Sequence, residues 1–148
     1  MKVLAYRFSA FGDVAMIVPV LKEFLEQNPN AEIVFVSRKN FADLFESIDR
    51  LSFRGVDLDG YKGVWGLKKL AGELNAEIKP DLVADLHSVH RTKILNFFFS
   101  LFGKKTASID KGRKEKKQLT QKENKIKKPL KTTAERYADV FRKSGFSL

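Results

Sequence analysis

Residues 7–13, Arg7-Phe8-Ser9-Ala10-Phe11-Gly12-Asp13, join the first apolar run of the chain to its first amphipathic segment, and this junction decides the fold. The run before it is rich in residues that favour β-structure, which predicts a strand from Lys2 to Phe8. After it, apolar side chains recur at helical spacing, which predicts a helix. Those side chains belong to Val14, Val18, Leu21 and Leu25. A strand therefore gives way to a helix across a short turn, as in α/β units.

Two residues of this turn have predicted roles. Gly12 is expected to let the backbone turn sharply. Asp13 is expected to be the N-cap of the helix, where unpaired amide hydrogens and the positive end of the helix dipole keep its carboxylate ionised. Capping alone is one interpretation of Asp13. A functional role is the other, because open α/β sheets bind ligands at the carboxyl ends of their strands.

Strand and helix signals alternate along the whole chain. Further strands are predicted at 32–37, 51–58, 81–86 and 105–109, and helices are predicted near 41–48, at 64–78, at 94–102 and after Thr132. This alternation predicts right-handed crossovers and an α/β fold, a Rossmann-like, mostly parallel sheet with helices on both faces. A length of 148 residues predicts one domain, spanning 1–148.

Two predictions concern aromatic residues. Trp65 flanks the apolar face of the helix at 64–78, which favours packing over a role as a platform for a sugar ring. The helix at 94–102 is apolar nearly all round, so most of its Phe side chains are expected to be buried. A contiguous exposed patch there would instead indicate contact with a membrane or with a further domain.

The net charge of +10 lies entirely in the last third of the chain. Residues 1–103 carry 13 Lys and Arg against 13 Asp and Glu, whereas the remainder carries 15 against 5. Residues 104–131 are predicted to be a basic, mobile segment, and 132–148 a helix that opens with a capping box at Thr132 and Glu135. Such a segment favours a polyanionic partner, such as phosphorylated lipid, nucleic acid or an anionic membrane face. A solvated surface without a partner is the alternative.

Composition and motifs argue against several other classes of protein. The absence of Cys excludes disulfide and thiolate chemistry. No apolar run approaches the ~20 residues of a membrane span, which predicts a cytoplasmic protein. No dinucleotide-binding glycine motif follows the first strand, and Gly103-Lys-Lys-Thr106 is not a P-loop because it follows a helix. His87 and His90 alone are too few to indicate a metal site, and none is expected.

Three turns follow predicted strands, at 7–13, 37–39 and 85–91. The carboxyl ends of parallel strands share one edge of a sheet. Four side chains from these turns are therefore expected to line one cleft: Asp13, Arg38, His87 and Arg91.

The opening of the chain also resembles a known family. Glycosyltransferase family 9, the ADP-heptose:lipopolysaccharide heptosyltransferases, begins with a basic residue, a short Ser/Ala turn, Gly-Asp-Val and a Pro in the following helix. The matching residues are Arg7, Ser9, Gly12, Asp13, Val14 and Pro19. The turn after the fourth predicted strand resembles the second signature of that family through Arg91 and Thr92, although Ser88 stands where a Gly is common.

The resemblance implies a two-domain glycosyltransferase of the GT-B fold, of which this chain is the amino-terminal, acceptor-binding half, with the helix at 132–148 leading to the donor domain. It implies that Asp13 is the catalytic base. Substrate contacts are expected from Arg7, Ser9, Gly12, Arg38, His87, Arg91, Thr92, Lys111, Arg113 and Lys114. The implied reaction is inverting transfer of heptose from ADP-heptose to the anionic inner core of lipopolysaccharide, by a protein that is cytoplasmic or peripheral at the inner membrane.

No cofactor is expected, because ADP-heptose would bind mainly the carboxyl-terminal domain, and this half alone is not expected to be a competent enzyme. Two other functions remain open at this stage. A nucleic-acid-binding module would account for the basic segment, but that segment lacks interleaved aromatic residues and any known binding signature, so no specific nucleic acid is expected. A non-catalytic domain that binds an anionic ligand or serves as a scaffold is the third possibility.

Overall fold

The computed structural model describes residues 1–111 and 132–148. Strands and helices alternate within these ranges, and each predicted element is present. In chain order they are β1 (Lys2–Tyr6), α1 (Phe11–Gln27), β2 (Glu32–Arg38), a 3₁₀ helix (Lys39–Phe45), β3 (Leu51–Val56), a second 3₁₀ helix (Leu58–Gly60), α2 (Gly63–Ile78), β4 (Leu82–Asp85), α3 (His90–Leu101), β5 (Lys105–Ser108) and α4 (Thr133–Lys143).

The five strands form one sheet in the order β3-β2-β1-β4-β5, and every neighbouring pair is parallel. The predicted Rossmann-like fold is therefore confirmed. In the register of the sheet, Tyr6 lies between Val36 of β2 and Asp85 of β4. The strand order reverses at β1, and the carboxyl ends of β1 and β4 flank this reversal, which is where open α/β sheets form their binding crevice.

Helices cover both faces of the sheet. On one face α1 packs against α4, where the rings of Phe24 and Phe141 lie 4.6 Å apart between centroids. On the other face α2 packs against α3, and Leu70 and Phe99 are fully buried between these helices and the sheet. Because both faces are covered, β1 is buried from Val3 to Tyr6, as expected for a central parallel strand.

The prediction that Trp65, beside the apolar face of α2, is a packing residue is wrong. Its side chain is 76% exposed, because it lies in the first turn of α2, at the edge of the helical layer. The neighbour that the structure gives its ring is the Nζ atom of Lys68, 5.4 Å from the ring centroid, a cation–π contact.

The expected burial of α3 is only partly correct. Phe98 and Phe99 are buried, but Phe97 and Leu101 are 59% and 65% exposed. The reason is topological: α3 leads from β4 to the edge strand β5, so α2 and the sheet cover it while its outer side has no neighbour among the described residues. None of the helices in the described ranges has the length and apolar content that a membrane crossing requires.

The last helix begins as predicted. The Thr132 hydroxyl accepts a hydrogen bond from the backbone N–H of Glu135 at 3.2 Å, which caps α4. Gly145 follows its end with a φ of +91°, a conformation that favours glycine. Apart from residues 104–111, the predicted mobile basic segment lies outside the described residues.

Candidate functional site

The turn after β1 differs from its prediction in where the helix begins. α1 starts at Phe11 and its N-cap is Ala10, whose side chain makes no capping hydrogen bond. The predictions of Asp13 as N-cap and of Gly12 as the turning residue are therefore wrong, because both residues already belong to the first turn of the helix. Asp13 still lies beside the positive end of the helix dipole.

The Asp13 carboxylate forms an ion pair with Arg7. Arg7 Nη2 lies 3.2 Å from Asp13 Oδ2, and the two side chains are 12% and 44% exposed. Arg7 Nη1 donates to the carbonyl of Leu86 in the turn after β4, at 3.0 Å. Arg7 thus joins the two turns that flank the reversal of strand order and orients a carboxylate that remains accessible to solvent.

The end of β2 is bonded to the same turn. The Ser37 hydroxyl donates to the carbonyl of Arg7 at 2.5 Å, and Arg38 Nε donates to the carbonyl of Phe8 at 2.8 Å. Beyond Arg38, a pocket of about 280 Å³ lies between the ends of β2 and β3. Its lining residues are Arg38, Lys39, Asn40, Val56, Asp57 and Leu58.

A buried carboxylate organises the turn after β4. Asp85 Oδ1 accepts hydrogen bonds from the backbone N–H groups of His87 and Ser88, both at 2.9 Å, and Asp85 Oδ2 accepts from Asn96 Nδ2 at 2.8 Å. The Tyr6 hydroxyl donates to Asn96 Oδ1. Ser88 has a φ of +51°, which explains why a Gly suits this position.

His87 is a poor base in this setting. It is 8% exposed, and its Nδ1 accepts from the backbone N–H of Phe8 at 3.4 Å. Burial, reinforced by the positive charges of Arg7 and Lys111, lowers the pKa of His87 to about 4, against a smaller opposing effect of Asp85. At neutral pH the ring is therefore uncharged and its Nε2 carries the hydrogen, so it can donate a hydrogen bond to a ligand but cannot readily accept a proton.

Tyr137 of α4 contacts the first turn of α1. Its hydroxyl donates to the carbonyl of Asp13 at 3.3 Å, and burial raises the pKa of Tyr137 to about 12. The hydroxyl therefore remains protonated, and its hydrogen bond ties α4 to the first turn of α1.

The remaining predicted site residues lie in different environments. Ser9 is half-buried in the β1 turn, and Arg91 is exposed in the first turn of α3. Thr92 is fully buried, and its hydroxyl accepts from the N–H of Val89 and donates to the carbonyl of the same residue, so the structure gives it a structural role in place of a contact with substrate. Lys111 is half-buried, whereas Arg113 and Lys114 lie outside the described residues.

The structure thus brings Arg7, Asp13, Arg38 and His87 to one edge of the sheet, with Arg91 and Lys111 close enough to affect the pKa of His87. At this edge an accessible carboxylate can accept a proton from a bound hydroxyl group, and the cations can hold an anionic ligand. Within residues 1–111 and 132–148, no three acidic or His side chains are grouped as a metal site would need.

Comparison of the sequence with family models and with curated proteins gave no match. Comparison of the structure did. The chain superimposes over 99% of its length on a glycosyl transferase of family 9 from Veillonella parvula, with a TM-score of 0.70 at 21% identity, and covers 42% of that protein. It superimposes equally far on the E. coli heptosyltransferase WaaC with ADP, with a TM-score of 0.68 at 19% identity, and covers 48% of it.

A third structure, E. coli ADP-heptose lps heptosyltransferase II, matches over 95% of the chain with a TM-score of 0.64 at 16% identity. The chain spans less than half of the length of each of these proteins. The resemblance noted in the opening residues is thereby confirmed at the level of the fold.

Proposed function

We propose that this chain is the acceptor-binding half of a GT-B glycosyltransferase that transfers heptose from ADP-heptose to the inner core of lipopolysaccharide. The observation that carries the proposal is the pair formed by Arg7 and Asp13 at the reversal of strand order. The fold that the chain shares with structures of a family 9 glycosyl transferase and of a heptosyltransferase supports the same proposal. The proposed enzyme works on the cytoplasmic side of the inner membrane, where its lipid-linked acceptor would be held.

Asp13 is the proposed general base. In the reaction, an acceptor hydroxyl oxygen forms a bond to the anomeric carbon of heptose, the bond from that carbon to the phosphate oxygen breaks with inversion, and ADP leaves with the electron pair. The hydroxyl proton passes to the Asp13 carboxylate. Arg7 pairs with this carboxylate and holds it at the start of α1, where it is placed to take up a proton that leaves late in the transition state.

Cationic side chains at the same edge of the sheet as Asp13 are proposed to hold the acceptor. Arg38 lies beside the pocket of about 280 Å³, a volume that admits one sugar residue, and Lys39 lines the same pocket. Arg91 lies on the other side of the reversal, in the first turn of α3. Guanidinium groups bind carboxylates and phosphates in a bidentate manner, so this distribution suits the anionic sugars of an inner core.

The test is transfer by the longer protein that the proposal implies, assayed with ADP-heptose and lipopolysaccharide that lacks heptose. Asp13→Asn is expected to lower kcat by about 10²- to 10⁴-fold. The loss of stability should stay near about 1 kcal/mol, because an Asn oxygen can still accept from Arg7. Asp49→Asn, which changes a carboxylate that is 98% exposed, is the matched control and should keep normal turnover.

Two results would contradict the proposal. Near-normal turnover by Asp13→Asn would remove this residue from the chemistry. Absence of transfer by the unchanged protein, with retained binding of lipopolysaccharide core fragments, would favour a non-catalytic acceptor-binding domain.

A further inference from the structure

The outer side of α3 carries an apolar stripe formed by Phe97, Leu101 and Phe102. These side chains are 59%, 65% and 37% exposed. Phe97 and Leu101 lie about one helical turn apart, and Phe102 is the C-cap of the helix. Large apolar residues that are exposed singly are ordinary, whereas three that adjoin on one helix mark a contact surface.

The charged residues that α3 and the segment after it place beside this α3 stripe, its rim, are lysines. Lys93 precedes Phe97 by about one turn on the same side of the helix, and Lys104 and Lys105 follow the C-cap. The sequence holds no Asp or Glu from 86 to 109. The cores of protein–protein interfaces are depleted in Lys, whereas Lys beside aromatic and aliphatic side chains suits a surface of anionic lipid.

The opposite side of the same helix is fixed. Leu95 and Phe99 are fully buried in the core that α3 shares with α2 and the sheet. The α3 stripe is therefore presented on a rigid support and needs no rearrangement to meet a flat surface. α3 also begins at His90, beside the candidate site, so a surface that binds the stripe would lie along one side of the site.

We propose that the α3 stripe docks on an anionic phospholipid bilayer, with Phe97 and Leu101 in the interfacial region and the lysines of the rim against lipid phosphates. Charge complementarity selects this occupant over a second protein surface. The proposal extends beyond the proposed transfer reaction and does not depend on it, because docking needs neither donor nor acceptor sugar.

The absence of Cys in the chain permits a clean test. In the full protein, Phe97→Cys is labelled with an environment-sensitive fluorophore and mixed with vesicles of phosphatidylethanolamine and phosphatidylglycerol, or of phosphatidylcholine alone. The emission should shift to the blue with the anionic vesicles only. Phe11→Cys, whose native side chain is 62% exposed on α1 across the sheet, is the matched control and should show no shift.

A binding measurement complements the fluorescence. The double variant Phe97→Ser, Leu101→Ser should bind anionic vesicles at least about tenfold more weakly, because it removes apolar groups that would enter the interface. Phe11→Ser, Met16→Ser removes a comparable exposed pair from α1 and should bind normally. Thermal unfolding checks that both double variants fold.

Three outcomes would overturn the proposal. An emission at residue 97 that is already blue-shifted without vesicles would mean that another part of the protein or a second copy covers the stripe. Vesicle binding without a shift at residue 97 would assign the contact to the basic segment 104–131. Failure to bind anionic vesicles would exclude docking, and none of these results would bear on transfer measured with soluble acceptor fragments.

Discussion

Lowering the pH is expected to destabilise the protein through His87. Burial and the neighbouring cations lower the pKa of His87 to about 4 in the folded protein, whereas in an unfolded chain it is about 6.5. Between these values the unfolded chain binds a proton that the folded protein does not. The contribution of His87 to stability is therefore fully present above about pH 6.5 and is lost as the pH falls to about 4.

The size of this effect follows from the same two pKa values. One pKa unit corresponds to about 1.4 kcal/mol, so the interval from 6.5 to about 4 corresponds to about 3 kcal/mol of unfolding free energy. Screening by solvent is small, because the residue is only 8% exposed. Carboxylates titrate in the same range, so the effect must be isolated by comparison with a variant.

His87→Asn is the appropriate variant, because its side-chain oxygen can replace Nδ1 as the acceptor for the N–H of Phe8. Urea unfolding between pH 4 and 7 should show the unchanged protein losing about 3 kcal/mol more than this variant over the interval. His90→Asn changes the other histidine, which is exposed, and is the control. Its free energy of unfolding should depend on pH in the same way as that of the unchanged protein. Parallel curves for His87→Asn and the unchanged protein would refute the reasoning.

Two further changes test the turns. Asp85→Asn should lower the free energy of unfolding by about 2 to 4 kcal/mol, because an amide nitrogen would replace one accepting oxygen and leave a buried donor unpaired. A loss below about 0.5 kcal/mol in urea unfolding would show that the carboxylate does not hold the turn. Gly12→Ala should raise the free energy of unfolding by about 0.5 to 1 kcal/mol, because Gly12 is helical and an added Cβ meets no atom within 4 Å. An unchanged or lower Tm would contradict the helical conformation of Gly12.

The strands were predictable because apolar runs bounded by breakers are typical of buried strands, and their parallel direction followed from the alternation of strands and helices. The start of α1 was not, because Ala10 is a weak N-cap and the pattern favoured Asp13. Sequence periodicity also carries no information on which helix ends a layer. Phe97 is exposed because α3 lies beside the edge strand, and only the structure shows that position.

The candidate site was predictable in its location and less so in its contacts. Asp13, Arg38 and His87 follow strands that the pattern identified, and the topology brings those ends together. The network of Tyr6, Asn96 and Asp85 was missed, because its members are up to 90 positions apart in the sequence. The one signal was that each of them is a polar group within an otherwise apolar run.

The hydrogen bond from Arg7 to the carbonyl of Leu86 also fixes when the site can exist during synthesis. The two residues are 79 positions apart, so Arg7 leaves the ribosome long before its partner is made. At roughly 5 to 20 residues per second, the interval is about 4 to 16 s. A nascent chain that ends between β3 and β4 therefore carries the residues of the first turn without the carbonyl that orients Arg7. The carboxylate of Asp13 acquires its fixed partner only after the turn that follows β4 has been translated.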